Sequence, residues 1–134
     1  MQRILPLKIS PKIIVDFSPI HGRGVFATEK IFKGEIIEEC HFIKLDDNNF
    51  DNLDLSLKQI VFSYPMGTNG VAVVLGFGSI YNHQPNNNAT WETDTNIRVF
   101  RFYAIKDIDV GEEICTNYMK QPKEFPFETK NSPF

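Results

Sequence analysis

What most constrains this chain is how often its apolar runs are interrupted. Short β-type runs fall at residues 12–17, 25–27, 35–39, 42–45, 71–75, 97–104 and 113–116. Between them stand turn signals: Ser18-Pro19, Gly22-Arg23-Gly24, Lys33-Gly34, residues 46–49, 67–70 and 85–88, and Val110-Gly111. Punctuation at roughly eight to twelve residues predicts a β-dominated domain of short strands with little helix. At 134 residues the chain suits one domain with a real core. The stretch 52–61 stays open, because Leu53, Leu55, Leu57, Ile60 and Val61 settle on neither the helical nor the strand period. The tail from Gln121 (QPKEFPFETKNSPF) holds three prolines and three phenylalanines, which argue against a regular strand or helix while its aromatics call for burial.

The chain also echoes itself. Ala27, Ile31, Gly34, Glu35 and Ile37 share the pattern A-x-x-x-I-x-x-G-E-x-I with Ala104, Ile108, Gly111, Glu112 and Ile114. Each copy reads as a strand ending on a small residue, a polar loop with one buried Ile, a glycine able to take positive φ, and a fresh strand. Two copies suggest one local geometry used twice, not a solenoid.

Composition removes several function classes. Apolar residues make up 42% and charged residues 23%, the profile of a globular protein. A net charge of −3 lacks the basic footprint of a nucleic-acid binder. No apolar run approaches the ~20 residues that span a bilayer. Cys40 and Cys115 are too few for a zinc site, and His21, His41 and His83 have no ligand spacing, so no metal is expected. MQRILPLKISPK, broken by Pro6 and Pro11, does not read as a secretory signal. An intracellular setting, cytoplasmic or nuclear and not secreted, is the expectation.

Four elements stand apart from scaffold. His21-Gly22-Arg23-Gly24 sets two glycines one apart, which lets a backbone approach a ligand closely, although such a turn is structural more often than not. Asn82-His83 closes LGFGSIYNH, and is either a pair of loop polars or a pair of hydrogen-bonding groups delivered to a site. Tyr118 closes GEEICTNY, where a phenol can project into a cleft. Its neighbours Glu112 and Glu113 face opposite sides of a strand and cannot act as a carboxylate pair; Glu112 reads as turn-exposed and Glu113 as structural. Residues 61–65, Val-Phe-Ser-Tyr-Pro, form an aromatic cluster suited to core packing or to walling a pocket.

Taken in order, G-x-G, an apolar strand running into Asn-His, then G-E-E-I and a tyrosine resemble the SET-domain protein-lysine methyltransferases over about residues 12–118, and most of all the minimal SET proteins of large DNA viruses and bacteria. The resemblance implies a mainly β, β-clip-like fold of short strands in several small sheets, with a C-terminal pseudoknot that brings Asn82 to Tyr118. It divides the chain into an extension (1–11), the SET domain (12–118) and a tail (119–134) that covers the cofactor or the lysine channel, with Phe125 and Phe127 as its aromatics. S-adenosylmethionine is the implied cofactor. Gly22, Arg23 and Gly24 would bind it through their backbone, Asn82 would hold its methionine end, and His83 would support the adenine side through its main chain. Tyr118 would be the catalytic tyrosine of a narrow lysine channel, with Tyr64 and Trp91 as channel walls. The implied partner is a protein presenting a lysine, such as a histone tail, and a homodimer follows from the viral members; no direct nucleic-acid or membrane partner is expected. The family serine after Asn-His is Gln84 here, its Pro-Asn is Asn87-Asn88, and the acidic residue before the tyrosine is Asn117. The Gln84 and Asn117 departures keep a non-catalytic peptide-binding module with the same fold as the alternative.

Overall fold

The computed structural model describes residues 6–45, 50–65, 68, 70–118 and 123–125. In chain order the strands are β1 (Ile13–Phe17), β2 (Arg23–Ala27), β3 (Ile36–Cys40), β4 (Phe42–Lys44), β5 (Phe62–Ser63), β6 (Val71–Val74), β7 (Asn82–His83), β8 (Ala89–Asp94), β9 (Val99–Ala104), β10 (Glu113–Thr116) and β11 (Lys123–Phe125). The open stretch 52–61 resolves into a single helical turn, α1 (Leu55–Lys58), preceded by a 3-10 turn, Phe50–Asn52. The Asp54 side chain caps α1 by accepting from the Ser56 N–H at 2.9 Å. Leu55 is exposed and α1 buries no residue, which is why its leucines show no helical stripe.

Three small sheets carry the fold, ordered β1-β2-β10-β7, β11-β8-β9-β3 and β4-β6-β5. Their shared core is aromatic: Phe100 and Phe102 are fully buried on β9, with Phe62, Tyr81 and Trp91 packed around Phe102. Rings this size each bury a large apolar area, so a few of them hold short strands that could not be stable alone.

The internal echo is a reciprocal clasp. Ile31 and Ile108, both fully buried, exchange backbone bonds of 2.9 and 2.8 Å. Gly34 N–H donates to Ala104 O while Gly111 N–H donates to Ala27 O, each at 2.8 Å. Both glycines take positive φ, +89° and +86°, as the sequence pattern predicts.

Three expectations need correction. The apolar run into Asn82 is not one strand: β6 stops at Val74, a turn covers 75–80, and Asn82-His83 begins a separate strand in a different sheet. The turn is forced by packing. A Cβ on Gly76 would stand 2.4 Å from the Glu38 carboxylate, and one on Gly78 2.2 Å from Val74, so only glycine lets the chain fold back here. Second, β8 spans Ala89–Asp94 although those residues carry no continuous apolar run; their burial alternates strictly, one face in and one out. Third, the tail does contain a strand, because Lys123–Phe125 pairs in parallel with Glu92–Asp94 of β8. Phe127 lies outside the described residues. Among the described residues no helix is long and apolar enough to cross a membrane, and no cluster of His, Cys, Asp and Glu could hold a metal.

Candidate active site

The site forms where β10 slides between two strands. Glu113 and Ile114 pair antiparallel with Phe26 and Val25 of β2, while Cys115 and Thr116 pair in parallel with Asn82 and His83 of β7. Beyond them the loop after β7 is stitched to the same strand. Gln84 N–H donates to Thr116 O, Asn88 Oδ1 accepts from Cys115 N–H, and Asn88 Nδ2 donates to Glu113 O. An asparagine can satisfy both a donor and an acceptor of a passing backbone, and this one does so at 2.9 Å each. The interlock carries Tyr118 to β7.

Tyr118 is held at both ends. Its N–H donates to His83 Nδ1 at 2.9 Å. Its hydroxyl donates to the Tyr81 carbonyl. Burial raises the phenol above its ordinary range, and the Cys115 sulfur adds to the shift, so the group stays a neutral O–H. Burial and the Glu113 charge likewise push the Cys115 thiol up to about 11, which makes it an inert neighbour and no nucleophile.

Two cavities meet at this tyrosine. The larger, about 470 Å³, lies between the β1–β2 turn (Ile20, His21, Arg23), β7 (Asn82, His83) and Tyr118, and falls in the range of small-molecule sites. The second is a slot with about 10 Å³ of open space, walled by Phe62, Trp91, Gly78 and Tyr118. Gln59, Ile60, Ser79 and Tyr118 border both. Phe62 and Trp91 stand edge to face at 5.1 Å, giving the slot rigid apolar walls.

Of the residues singled out from the sequence, Arg23, Asn82 and His83 come together around the larger cavity, and Trp91 lines the slot. Tyr118 touches both. Gly22 takes φ +47° with open space around it, so it serves the turn. Gly24 has another role: a Cβ there would stand 2.2 Å from Glu113 Oε2, so its bareness makes room for a carboxylate. The Arg23 guanidinium lies over the Phe17 ring at 4.9 Å. Tyr64 does not take the place expected for it. It packs against Phe42 at 4.4 Å and Phe100 at 6.0 Å in the core, and the wall from that aromatic cluster is Phe62.

The residue the sequence did not disclose is Glu113. Its carboxylate accepts from the Ser18 hydroxyl at 2.7 Å and from the Asn82 amide at 2.8 Å, joining the turn after β1 to β7 and β10 at one point. The opposite-face rule holds, since Glu112 is exposed and caps its own turn by accepting from Asp109 N–H. What the rule could not supply was the identity of the groups on the Glu113 face, which come from some thirty and ninety residues away.

Comparison with known proteins bears on family and fold. Residues 22–119 match the SET domain family. The chain is 29% identical over 116 residues to a Schizosaccharomyces pombe histone-lysine N-methyltransferase described as specific for lysine 37 of H3, covering 85% of this chain and 77% of that protein. Among solved structures, a candidate histone methyltransferase of Plasmodium falciparum superposes with a TM-score of 0.66 at 31% identity, over 82% of this chain and 95% of the other. A Chaetomium thermophilum Polycomb Repressive Complex 2, a humanized mutant with inhibitor bound, shares the fold at TM-score 0.62 and 23% identity, over 79% of this chain and 14% of that one.

Proposed function

The chain belongs to the SET domain family, and on that premise we propose that it transfers a methyl group from S-adenosylmethionine to a lysine side-chain amine of a protein, with a histone tail as the first substrate to test. The observation that carries the proposal is the meeting of a ligand-sized cleft and an apolar slot at Tyr118.

S-adenosylmethionine supplies, when bound, an electrophilic methyl on a positively charged sulfur. The residues fit such a ligand. The Asn82 amide nitrogen is bound to the His21 and Arg23 carbonyls and to Glu113, so its oxygen is left to face a donor such as an ammonium. The Glu113 carboxylate places negative charge beside a pocket meant for a cation. Phe62 and Trp91 strip water from an alkyl amine entering the slot, which favours its neutral, nucleophilic form. Tyr118, anchored through both its N–H and its hydroxyl, offers a phenol oxygen to orient that amine. No described acid or base stands in the slot, and none is required once the amine enters neutral.

The test is calorimetry with S-adenosylmethionine, followed by mass spectrometry of a panel of histone and other lysine peptides for a gain of one methyl. Saturable binding and transfer to at least one peptide support the reading. Binding without transfer across the panel would favour the peptide-binding module, and absence of cofactor binding would remove both cofactor and enzyme. On this reading the protein works inside the cell, in nucleus or cytoplasm.

A further inference from the structure

We propose that Glu113 is a positioning residue for the methyl donor: it fixes the Asn82 carboxamide in one orientation, oxygen toward the cleft, so that the site selects a ligand carrying an ammonium group. The inference rests on the cofactor reading above and deepens it.

A primary amide has two N–H protons, and the Asn82 nitrogen has three acceptors, His21 O and Arg23 O at 3.0 Å and Glu113 Oε2 at 2.8 Å. Turning the amide over would set its oxygen against two carbonyls and a carboxylate, none of which can donate. Of the two carbonyls, that of His21 lies in the turn before β2 and that of Arg23 opens β2. The carboxylate adds a charged acceptor to these two and is itself pinned. Its second oxygen accepts from the Ser18 hydroxyl at 2.7 Å, and that hydroxyl in turn accepts from the Ile20 N–H at 3.0 Å. Gly24 supplies the room, since any side chain there would collide with the carboxylate. Four separate features, Ser18, Gly24, Asn82 and the choice of Glu at 113, therefore serve one arrangement, which a merely structural glutamate would not need.

The expected selectivity is for the amino end of the ligand. S-adenosylhomocysteine carries the ammonium group; its desamino analogue is the same molecule without it. Calorimetry should show Glu113→Ala weakening S-adenosylhomocysteine by about tenfold or more, the size of losing one charge-assisted contact, while the desamino analogue changes by less than about twofold. Glu113→Gln, which can accept from Asn82 and donate to Ser18, should recover most of the lost affinity. Ser18→Ala loosens the same carboxylate without emptying the space, and gives the same selectivity at roughly threefold should Glu113→Ala not fold. An equal loss for the two ligands, or no loss for either, overturns the role of Glu113 while leaving the methyltransferase reading standing. Failure of the unaltered protein to bind either ligand sinks the proposed function, and this inference with it.

Discussion

The two copies of the A-x-x-x-I-x-x-G-E-x-I turn are wired alike and used differently. In each, the glutamate after the glycine reaches back to cap the loop: Glu35 Oε1 accepts from Phe32 N–H at 3.1 Å, and Glu112 Oε1 accepts from Asp109 N–H at 2.7 Å. In each, the alanine N–H bonds the partner copy's glutamate carbonyl at 3.0 Å. They part at the next residue, Ile36 in one and Glu113 in the other. The first copy feeds β3, which pairs with β9 and sets Glu39 on Arg101 at 2.9 Å. The second feeds β10, held between β2 and β7, and sets Glu113 on Asn82. One local geometry thus builds scaffold or site, according to a single side chain and the strands it meets.

The sharpest way to break that division is at the ends of the two strands. Tyr118→Phe should lower the methyl-transfer rate by about a hundredfold or more, as expected for one lost oriented hydroxyl, with a melting temperature close to the unaltered protein. A rate near wild type would remove Tyr118 from the chemistry. On the scaffold side, Arg101 bonds Glu39, Glu92 and Asp94 at once, and the Glu39 side chain is only 1% exposed. Burial alone would lower the Arg101 pKa, but the hydrogen bonds to Glu92, Glu39 and Asp94 outweigh it and raise it. Arg101→Ala leaves a buried carboxylate without its guanidinium and should cost about 3 kcal/mol in denaturant unfolding. Cofactor affinity of the folded fraction should not move. A parallel loss of affinity would show that β3 and the site are one unit.

How much of this was legible in the sequence follows the same divide. Features set by local chemistry could be read: the short strands, the positive-φ glycines at 34 and 111, the G-x-G turn and the aromatic end of β10. Features that exist only through distant partners could not. β7 is two residues long and is a strand because β10 lies beside it. β11 contains no strand signal in a proline-spaced tail, and its ladder comes from β8. Glu38 looks like a surface residue of a G-E-I-I-E-E run, yet it is 3% exposed, accepting from the Tyr81 hydroxyl at 2.8 Å and the Phe77 N–H at 3.0 Å. Those bonds hold the turn 75–80 whose next residue, Tyr81, receives the Tyr118 hydroxyl. Phe62 and Tyr64 stand two apart and share a face, so alternation alone could not tell that Phe62 borders the slot while Tyr64 packs on Phe42 and Phe100.

Smaller changes test whether the two turns are equivalent as scaffold. Gly34 and Gly111 have nearly the same positive φ, and a Cβ at either would meet nothing within 4 Å. Gly34→Ala and Gly111→Ala therefore suffer the backbone penalty alone, about 1–2 kcal/mol each, and the two values should agree. A much larger loss at Gly111 would mean that the second turn, by holding β10 in place, carries more of the fold than the first.

The finest comparison is between the capping glutamates. Glu112→Gln keeps the shape of its cap and loses the charge, which should cost about 0.5 kcal/mol. Glu35→Gln does the same, but Glu35 also faces Lys12 Nζ at 3.1 Å, with both side chains about a quarter to a third exposed. A partly solvated pair of that kind adds roughly 0.2–1 kcal/mol, and salt weakens it. The first copy should therefore be the more sensitive of the two at low ionic strength, and the gap should close as salt is added. A gap that persists at high salt would place the asymmetry in the turn itself, and the scaffold would no longer be the same device built twice.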